Sequence, residues 1–389
     1  MTRAADPVPL RHHHLQLSEV TLHVVEAGPA TGTPVVLLHG FPDLWVGWKH
    51  QIQALATAGY RVIAPDQRGY GSSSKPSSTR AYHLARLADD IAEVADLLNL
   101  GPFHLVGHDW GGAVCWRLAT AHAHRVRTLT VANCPPADVL QRTALSTPRQ
   151  LLKSWYVLFF QIPGLADAIL TPARLQATLK GTAAPGTFSK ACLEPYRAAW
   201  SQPGAATAML RWYRAAFRST PRTPRVEVPV MLLWGMADTF LGPDLIAPTL
   251  ARCSDARLVE LPGCSHWVPH EQPDAVNAAL LEHLASHGGP DPYVYKLASR
   301  QAWQDAPDPW PGAPVDLTDG FVHLSAADQV EGTRSKHFAD VPDLLRLAVD
   351  PSKLPAGALR WEVSRGGARF PHLYAPLPKA AVVSEAPLG

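Results

Sequence analysis

"LVGHDWGGA", residues 105–113, marks a junction between strand and helix. An apolar run ends there in glycine, histidine and aspartate, and "GAVCWRLATAH" follows with helical spacing. Residues 107–112 therefore form a tight turn between a buried strand and a helix, and the glycines at 107, 111 and 112 let the two backbones pack closely. A side chain at the top of such a turn is presented as a nucleophile. The N–H of the next residue, at the helix N-terminus, faces any negative charge that develops beside it. Asp109 is the candidate nucleophile, and Trp110 contributes one candidate N–H donor.

The same rhythm extends to both sides. "LQLSEVTLHVVEAG" alternates like two short strands around a turn, and "TPVVLLHG" is a continuous apolar run of the kind found in strands buried on both faces. "YRVIAPD" follows, then a helix with Leu84, Leu87, Ile91, Val94 and Leu98 on one face, then "FHLVGHD" and "VRTLTVAN". Alternation of this kind predicts an α/β fold with a mostly parallel sheet covered on both faces. Residues 136–226 break the rhythm, reading as helices rich in leucine, aromatics and proline. "VPVMLLWG" and "ARLVELPG" then resume the sheet, with helices near 243–251 and 274–287. A helical insertion at the end of the sheet where ligands collect is placed to act as a lid. A packing extension with no role in the site is the alternative.

Two further groups follow Asp109 in chain order. "WGMADTFLG" puts Asp238 just after a strand, and "LPGCSHWVPHEQP" puts His266 in the loop after the next one. His270 is a rival base, but its place beside the helix-starting "EQP" suits a surface or capping role. His108, preceding the nucleophile, is expected to point away from it. "LHGFP", residues 38–42, follows a strand end and offers the N–H of Phe41 as a second oxyanion donor. Asp66, Arg68 and Gly69 of "DQRGYGSSSKP" read as a structural loop network.

Taken together, "HGFP", "DQRGYGSSSKP", "GHDWGG", "WGMADTF" and "GCSHW" resemble the soluble epoxide hydrolase branch of the α/β-hydrolase fold over roughly residues 15–288. In that family the lid supplies two tyrosines. The resemblance assigns these to Tyr156 in "WYVLFFQIPG" and Tyr213 in "LRWYRAAF". Core packing is the alternative for either one taken alone.

Aspartate in place of serine changes the chemistry. With an unperturbed pKa of about 3.9 it is already ionised at neutral pH and needs no base to activate it. It can attack an sp3 carbon and form an alkyl ester, leaving His266, oriented by Asp238, to activate the water that hydrolyses it. An epoxide oxygen leaves as an alkoxide and calls for an acidic donor such as tyrosine. A halide calls instead for N–H donors, and haloalkane dehalogenases use the tryptophan after the nucleophile with an asparagine in the loop where this chain has Phe41. Fluoroacetate dehalogenases carry arginine where Trp110 stands. Epoxide hydrolysis through Asp109 is the expectation, with no metal and no cofactor, and Phe41, Trp110 and Trp267 shaping the substrate pocket. A halide-releasing enzyme and an idle binding protein of the same fold are the alternatives.

The rest of the chain is consistent with a small-molecule enzyme. Its 389 residues carry a formal net charge of +2, with no long single-sign run to suggest nucleic acid or a membrane surface. No apolar stretch reaches the roughly 18 residues of a membrane span, and "MTRAADPVPL" lacks a signal-peptide core, so the expectation is a cytoplasmic protein. Cys115, Cys134, Cys192, Cys253 and Cys264 form no CxxC pair and read as reduced, mostly buried thiols. His12, His13 and His14 read as solvated rather than metal-binding.

"SHGGPDP", residues 286–292, reads as a linker. It separates a hydrolase domain over residues 1–288 from a small α+β domain over 291–389, in which "YVYKLA", "DGFVHLS", "LLRLAVD" and "LRWEVS" look like strands. These motifs, with "ARFPHLYAPLP", resemble a small bacterial family of uncharacterised function that is more remotely similar to ADP-ribosyltransferase-like folds. His323, Trp361, Glu362, His372 and Tyr374 are candidates to line a small-ligand pocket, and packing or turn roles are equally open. A nicotinamide-nucleotide-handling enzyme and a binding or stabilising module are both open for the domain.

Overall fold

Strand β3 (Pro34–Leu38) shows why the central runs are apolar throughout. Val36 and Leu38 join one buried cluster while Val35 and Leu37 join another, so successive side chains enter cores on opposite faces of one sheet. Each such side chain contributes roughly 1.5–3 kcal/mol by leaving water. Strand β7 (Val230–Gly235) does the same, with Val230, Leu232 and Trp234 on the first side and Met231 and Leu233 on the second.

The structure is a computed structural model and describes residues 7–218, 222–289, 293–363 and 369–388. The chain divides into two compact units, Met1–Pro290 and Asp291–Gly389. In the first, β1 (Leu10–Gln16), β2 (Thr21–Ala27), β4 (Arg61–Pro65), β5 (Phe103–His108), β6 (Val126–Ala132) and β8 (Ala256–Leu261) join β3 and β7 in an eight-stranded sheet. Its order is β1-β2-β4-β3-β5-β6-β7-β8. The first two strands run antiparallel to their neighbours, and every pairing from β4 to β8 is parallel.

Helices Lys49–Thr57 and Pro273–Ala285 cover one face, packing Ile52, Leu55, Val276 and Leu280 on the sheet. Helices Leu84–Leu97 and Trp110–Ala121 cover the other through Leu87, Ile91, Val94, Val114 and Leu118. The second of these lies so close to β3 that a Cβ at Gly111 would sit 2.0 Å from the Leu38 carbonyl oxygen. Only glycine allows that approach. The segment between β6 and β7 is helical, from Ala137–Ser146 to Ala205–Arg218, and forms the lid.

The loop expected to be structural is so: Arg68, 2% exposed, makes a two-point contact with Asp90 at 2.6 and 2.9 Å, while Asp66 accepts from His23 and from the Trp45 N–H. His12 and His14 are exposed and His13 is half-buried, in line with the solvated reading. From β1, His12 and His13 reach His23 and Glu26 at 2.9 and 3.0 Å along the diagonal of the antiparallel register, in which they stand opposite Val25 and Val24.

The second unit holds two three-stranded antiparallel sheets. Strands β9 (Val294–Ser299), β11 (Leu344–Val349) and β14 (Val382–Pro387) form one, in the order β14-β11-β9; β10 (Val322–His323), β12 (Leu359–Val363) and β13 (Arg369–Leu373) form the other, in the order β10-β13-β12. The sequence reading found neither β13 nor β14. Pro371 lies inside β13, and a residue without an N–H argues against a strand until its neighbours are known. Part of the linker expected over 286–292, residues 290–292, lies outside the described residues. Among the described residues no helix is long and apolar enough to cross a membrane.

Candidate active site

Asp109 stands between the end of β5 and helix Trp110–Ala121 with φ 49° and ψ −123°. A non-glycine residue held there costs about 1–3 kcal/mol of backbone strain, which the flanking strand and helix must hold in place. The Phe41 loop approaches closely as well. A Cβ at Gly40 would lie 2.4 Å from the Asp109 Cβ, and the Phe41 N–H donates to Asp109 Oδ1 at 2.8 Å. One carboxylate oxygen is thus held in a hydrogen bond while Oδ2 faces His266.

His266 Nε2 is 3.6 Å from Asp109 Oδ2, and His266 Nδ1 is 2.7 Å from Asp238 Oδ2. Asp238 is anchored on every side: its Oδ1 accepts from the N–H groups of Phe240 and Leu241, and its Oδ2 from Asn133 Nδ2 at 2.6 Å. Burial opposes the positive form of His266, but the charges of Asp238 and Asp109 on either side outweigh it and raise its pKa well above the ordinary value. Burial opposes both carboxylates too, and contact with His266 holds each of them below the usual range.

The lid brings Tyr156 and Tyr213 to the same place. Their rings lie 6.0 Å apart between centroids, and both line a cavity of about 430 Å³ that Asp109 and Trp110 also line. The other walls are mostly apolar, among them Leu140, Val157 and Leu241. Burial pushes both phenols above their ordinary pKa, followed by the Asp109 charge for Tyr156 and by Tyr156 and then Asp109 for Tyr213, so they are hydrogen-bond donors. The Trp110 ring packs edge-on against Tyr213, with 4.9 Å between centroids.

Two expected pocket residues lie elsewhere. Trp267 is 1% exposed, does not line that cavity, and donates from Nε1 to Thr182 Oγ1 at 2.9 Å. An indole with one polar atom is better satisfied tying the histidine loop to the lid. The Phe41 ring also stands outside the lining, packed edge-on against Tyr213 and Phe160, so this residue acts at the site through its N–H.

His270 is no surface or capping residue. Its side chain is 3% exposed, with Nε2 3.0 Å from Asp43 Oδ2. Asp43 accepts from the Tyr196 hydroxyl at 2.6 Å as well, and Trp200 Nε1 donates to the Pro42 carbonyl. Burial works against the Asp43 charge, yet His270 and Tyr196 bring its pKa down to about 2. The lid helix Lys190–Trp200 thereby braces the Phe41 loop. Helix Pro148–Lys153 braces the Asp238 loop, with Gln150 bonded to the Phe240 carbonyl and the Gly242 N–H, and Lys153 bonded to the Asp238 carbonyl.

His108 is turned away from the nucleophile as expected, but it has a task. Its Nε2–H donates to the His266 carbonyl at 2.8 Å, and burial followed by the His266 charge lowers its pKa to about 4, so it is neutral. Neither this brace nor Asn133 was found by sequence reasoning. An asparagine at a strand end was the available signal for the latter.

In the second unit the structure brings together four of the five candidate residues. His323 Nδ1 is 2.8 Å from Asp316 Oδ1, and the buried Lys296 donates to Asp316 Oδ2 at 2.6 Å. His372 Nδ1 and the Tyr374 hydroxyl both meet Glu362 Oε2, at 2.9 and 2.7 Å, and Phe321 stacks on His372 with 4.1 Å between ring centroids. The side chain of Trp361 lies outside the described residues. No group of three or more histidine, cysteine, aspartate or glutamate side chains among the described residues is arranged to hold a metal ion.

Known proteins share both units. Residues 33–273 match the alpha/beta hydrolase fold family, and residues 297–385 match DUF952, a protein family of unknown function. The chain is 42% identical over 270 residues to the AB hydrolase superfamily protein YfhM of Bacillus subtilis, covering 68% of this chain and 94% of that one. It is 36% identical over 310 residues to Epoxide hydrolase A of Mycobacterium tuberculosis, with the same two shares, 68% and 94%. A solved structure of an epoxide hydrolase from metagenomes of hot environments matches with a TM-score of 0.65 at 33% identity, covering 72% of this chain and 99% of that chain. The chain belongs to the α/β-hydrolase fold family, on the branch that includes the epoxide hydrolases, and carries a C-terminal DUF952 domain fused to it.

Proposed function

We propose that this protein opens epoxides to vicinal diols through an alkyl ester on Asp109, in a hydrolase domain spanning residues 1–288 with its lid over 136–226. The observation that carries this is the convergence, in and beside one apolar cavity, of an ionised Asp109, two phenol donors and a carboxylate-bound His266. Epoxide hydrolases among its relatives supply the substrate class.

Asp109 Oδ2 attacks one ring carbon, the C–O bond breaks, and the departing oxygen takes a proton from Tyr156 or Tyr213. Ester formation removes the Asp109 charge. That charge helps raise both phenols and His266, so its loss eases proton donation by the tyrosines and lets His266 give up its own proton. Neutral His266, held by Asp238, then takes a proton from a water that attacks the ester carbonyl carbon. The negative charge collects on the Oδ1 side, where the Phe41 N–H already points, and the Trp110 N–H at the helix N-terminus adds a second donor. Collapse breaks the C–Oδ2 bond, the departing oxygen takes the remaining proton of the attacking water, and the diol leaves with Asp109 Oδ2 as its new oxygen; the proton that His266 gave up earlier restores the tyrosine.

A single turnover in 18O-labelled water tests the sequence of steps. Label is expected in the Asp109 carboxylate with an unlabelled diol; label in the first diol released overturns the ester route. Tyr156→Phe and Tyr213→Phe are each expected to lower kcat/KM on an aliphatic epoxide about 10- to 100-fold, the scale of losing part of a general-acid contribution. Halide release is the less favoured reading because two phenols, Tyr156 and Tyr213, line the cavity with Asp109, and a phenol suits a departing alkoxide.

A further inference from the structure

The lid exposes a run of apolar side chains around the mouth of the cavity. Among the described residues, thirteen large apolar side chains are exposed, and seven of them fall between Leu145 and Leu165. Leu145 is 78% exposed, Leu152 74% and Trp155 64%. Exposed apolar residues scattered singly are ordinary on a protein surface, whereas this concentration within 21 positions marks a contact site. Leu151 and Leu152 lie on helix Pro148–Lys153, and Trp155 and Leu158 on the short helix Trp155–Phe159 that follows it.

Charge and position identify the occupant. Between Val139 and Ala166 the only charged residues are Arg142, Arg149 and Lys153. The flanking acids are neutralised inside the protein, Asp138 by Arg252 and Asp167 by Arg214, each at 2.6 Å. Arg142 and Arg149 are exposed, so the exposed charges within this stretch are cationic. Leucine and tryptophan together with arginine is the composition of an element that lies in a lipid interface, apolar side down, and is drawn to anionic headgroups. Leu145, Leu151 and Leu158 also line the cavity that holds Asp109. A protein partner seated on them would cover the entrance, while a lipid surface would present apolar molecules to it.

We infer that residues 145–165 dock this protein on an anionic lipid surface, with the mouth of the catalytic cavity facing the lipid. The inference does not depend on which reaction the cavity performs. Flotation of the full-length protein with vesicles of equal parts phosphatidylglycerol and phosphatidylcholine tests it, with circular dichroism confirming that each variant is folded. The wild type is expected to float with these vesicles. The double variant Leu152→Glu/Trp155→Glu, outside the cavity lining, is expected to bind at least tenfold more weakly. Arg142→Glu/Arg149→Glu is expected to lose binding to the anionic vesicles and leave the weaker binding to pure phosphatidylcholine unchanged. Failure of the wild type to float overturns the inference, as does equal flotation of wild type and the Leu152/Trp155 variant. Sedimentation showing a dimer that those two changes abolish, without vesicle binding, assigns the face to a second copy of the chain and overturns it too.

Discussion

Asp109→Ala is expected to lose at least about 10⁴-fold in kcat on any epoxide the wild type turns over, with the fold intact. Removing the proposed nucleophile closes the covalent route, and nucleophile deletions in hydrolases of this logic cost on that scale or more. The residual rate has a physical limit. Tyr156 and Tyr213 still donate to the epoxide oxygen, and His266, still bonded to Asp238, can direct a water at the ring carbon. The variant should also lower the His266 pKa, because one of the two carboxylates that raise it is gone. Steady-state rates on a panel of aryl and aliphatic epoxides, with thermal unfolding as the control for folding, measure this. A variant retaining even a tenth of the wild-type rate sinks the covalent mechanism. The backbone at position 109 stays strained whichever side chain it carries, so stability is not expected to rise through relief of that strain.

What the sequence made legible follows from where the information lies along the chain. The continuous apolar runs of β3, β5 and β7 announce strands buried on two faces, because the pattern is local and its period is two. The turn at 107–112 is local as well. The order of Asp109, Asp238 and His266 is readable because each lies just beyond a recognisable strand.

Groups that meet only in three dimensions were hidden. His270 and Asp43 are 227 positions apart, and nothing near either one shows that a neutral-looking loop histidine closes on a buried carboxylate. Trp267 was assigned to the pocket because it follows His266. The chain direction at that loop instead carries its indole to Thr182 on the lid. Which way the lid leucines face was not legible, because helical spacing is the same whether a stripe faces a core or solvent. Only burial distinguishes the two, and it places Leu152 and Trp155 outside.

His266→Gln is expected to stop the reaction halfway. The first step needs Asp109 and the tyrosines, and glutamine keeps polar contact with the Asp238 side of the site while being unable to accept a proton from water. One equivalent of epoxide should be consumed quickly and remain attached, visible as an intact-protein mass increase equal to the mass of the substrate. Steady-state turnover should fall by about 10²–10⁴-fold, the range of a general base. Acid dependence gives a second readout. In the free protein His266 carries a raised pKa, so its interactions with Asp238 and Asp109 contribute stability that is fully present below the unfolded pKa of about 6.5. That contribution is lost as pH rises through the raised folded value. The stability gap between wild type and His266→Gln should therefore be widest in mild acid and narrow as the solution becomes alkaline, measured by urea unfolding across pH. The opposite trend would show that His266 is held neutral in the resting protein. A variant that turns over without accumulating the ester would show that another group activates the water; His108, already neutral and committed to the His266 carbonyl, is not placed to do so.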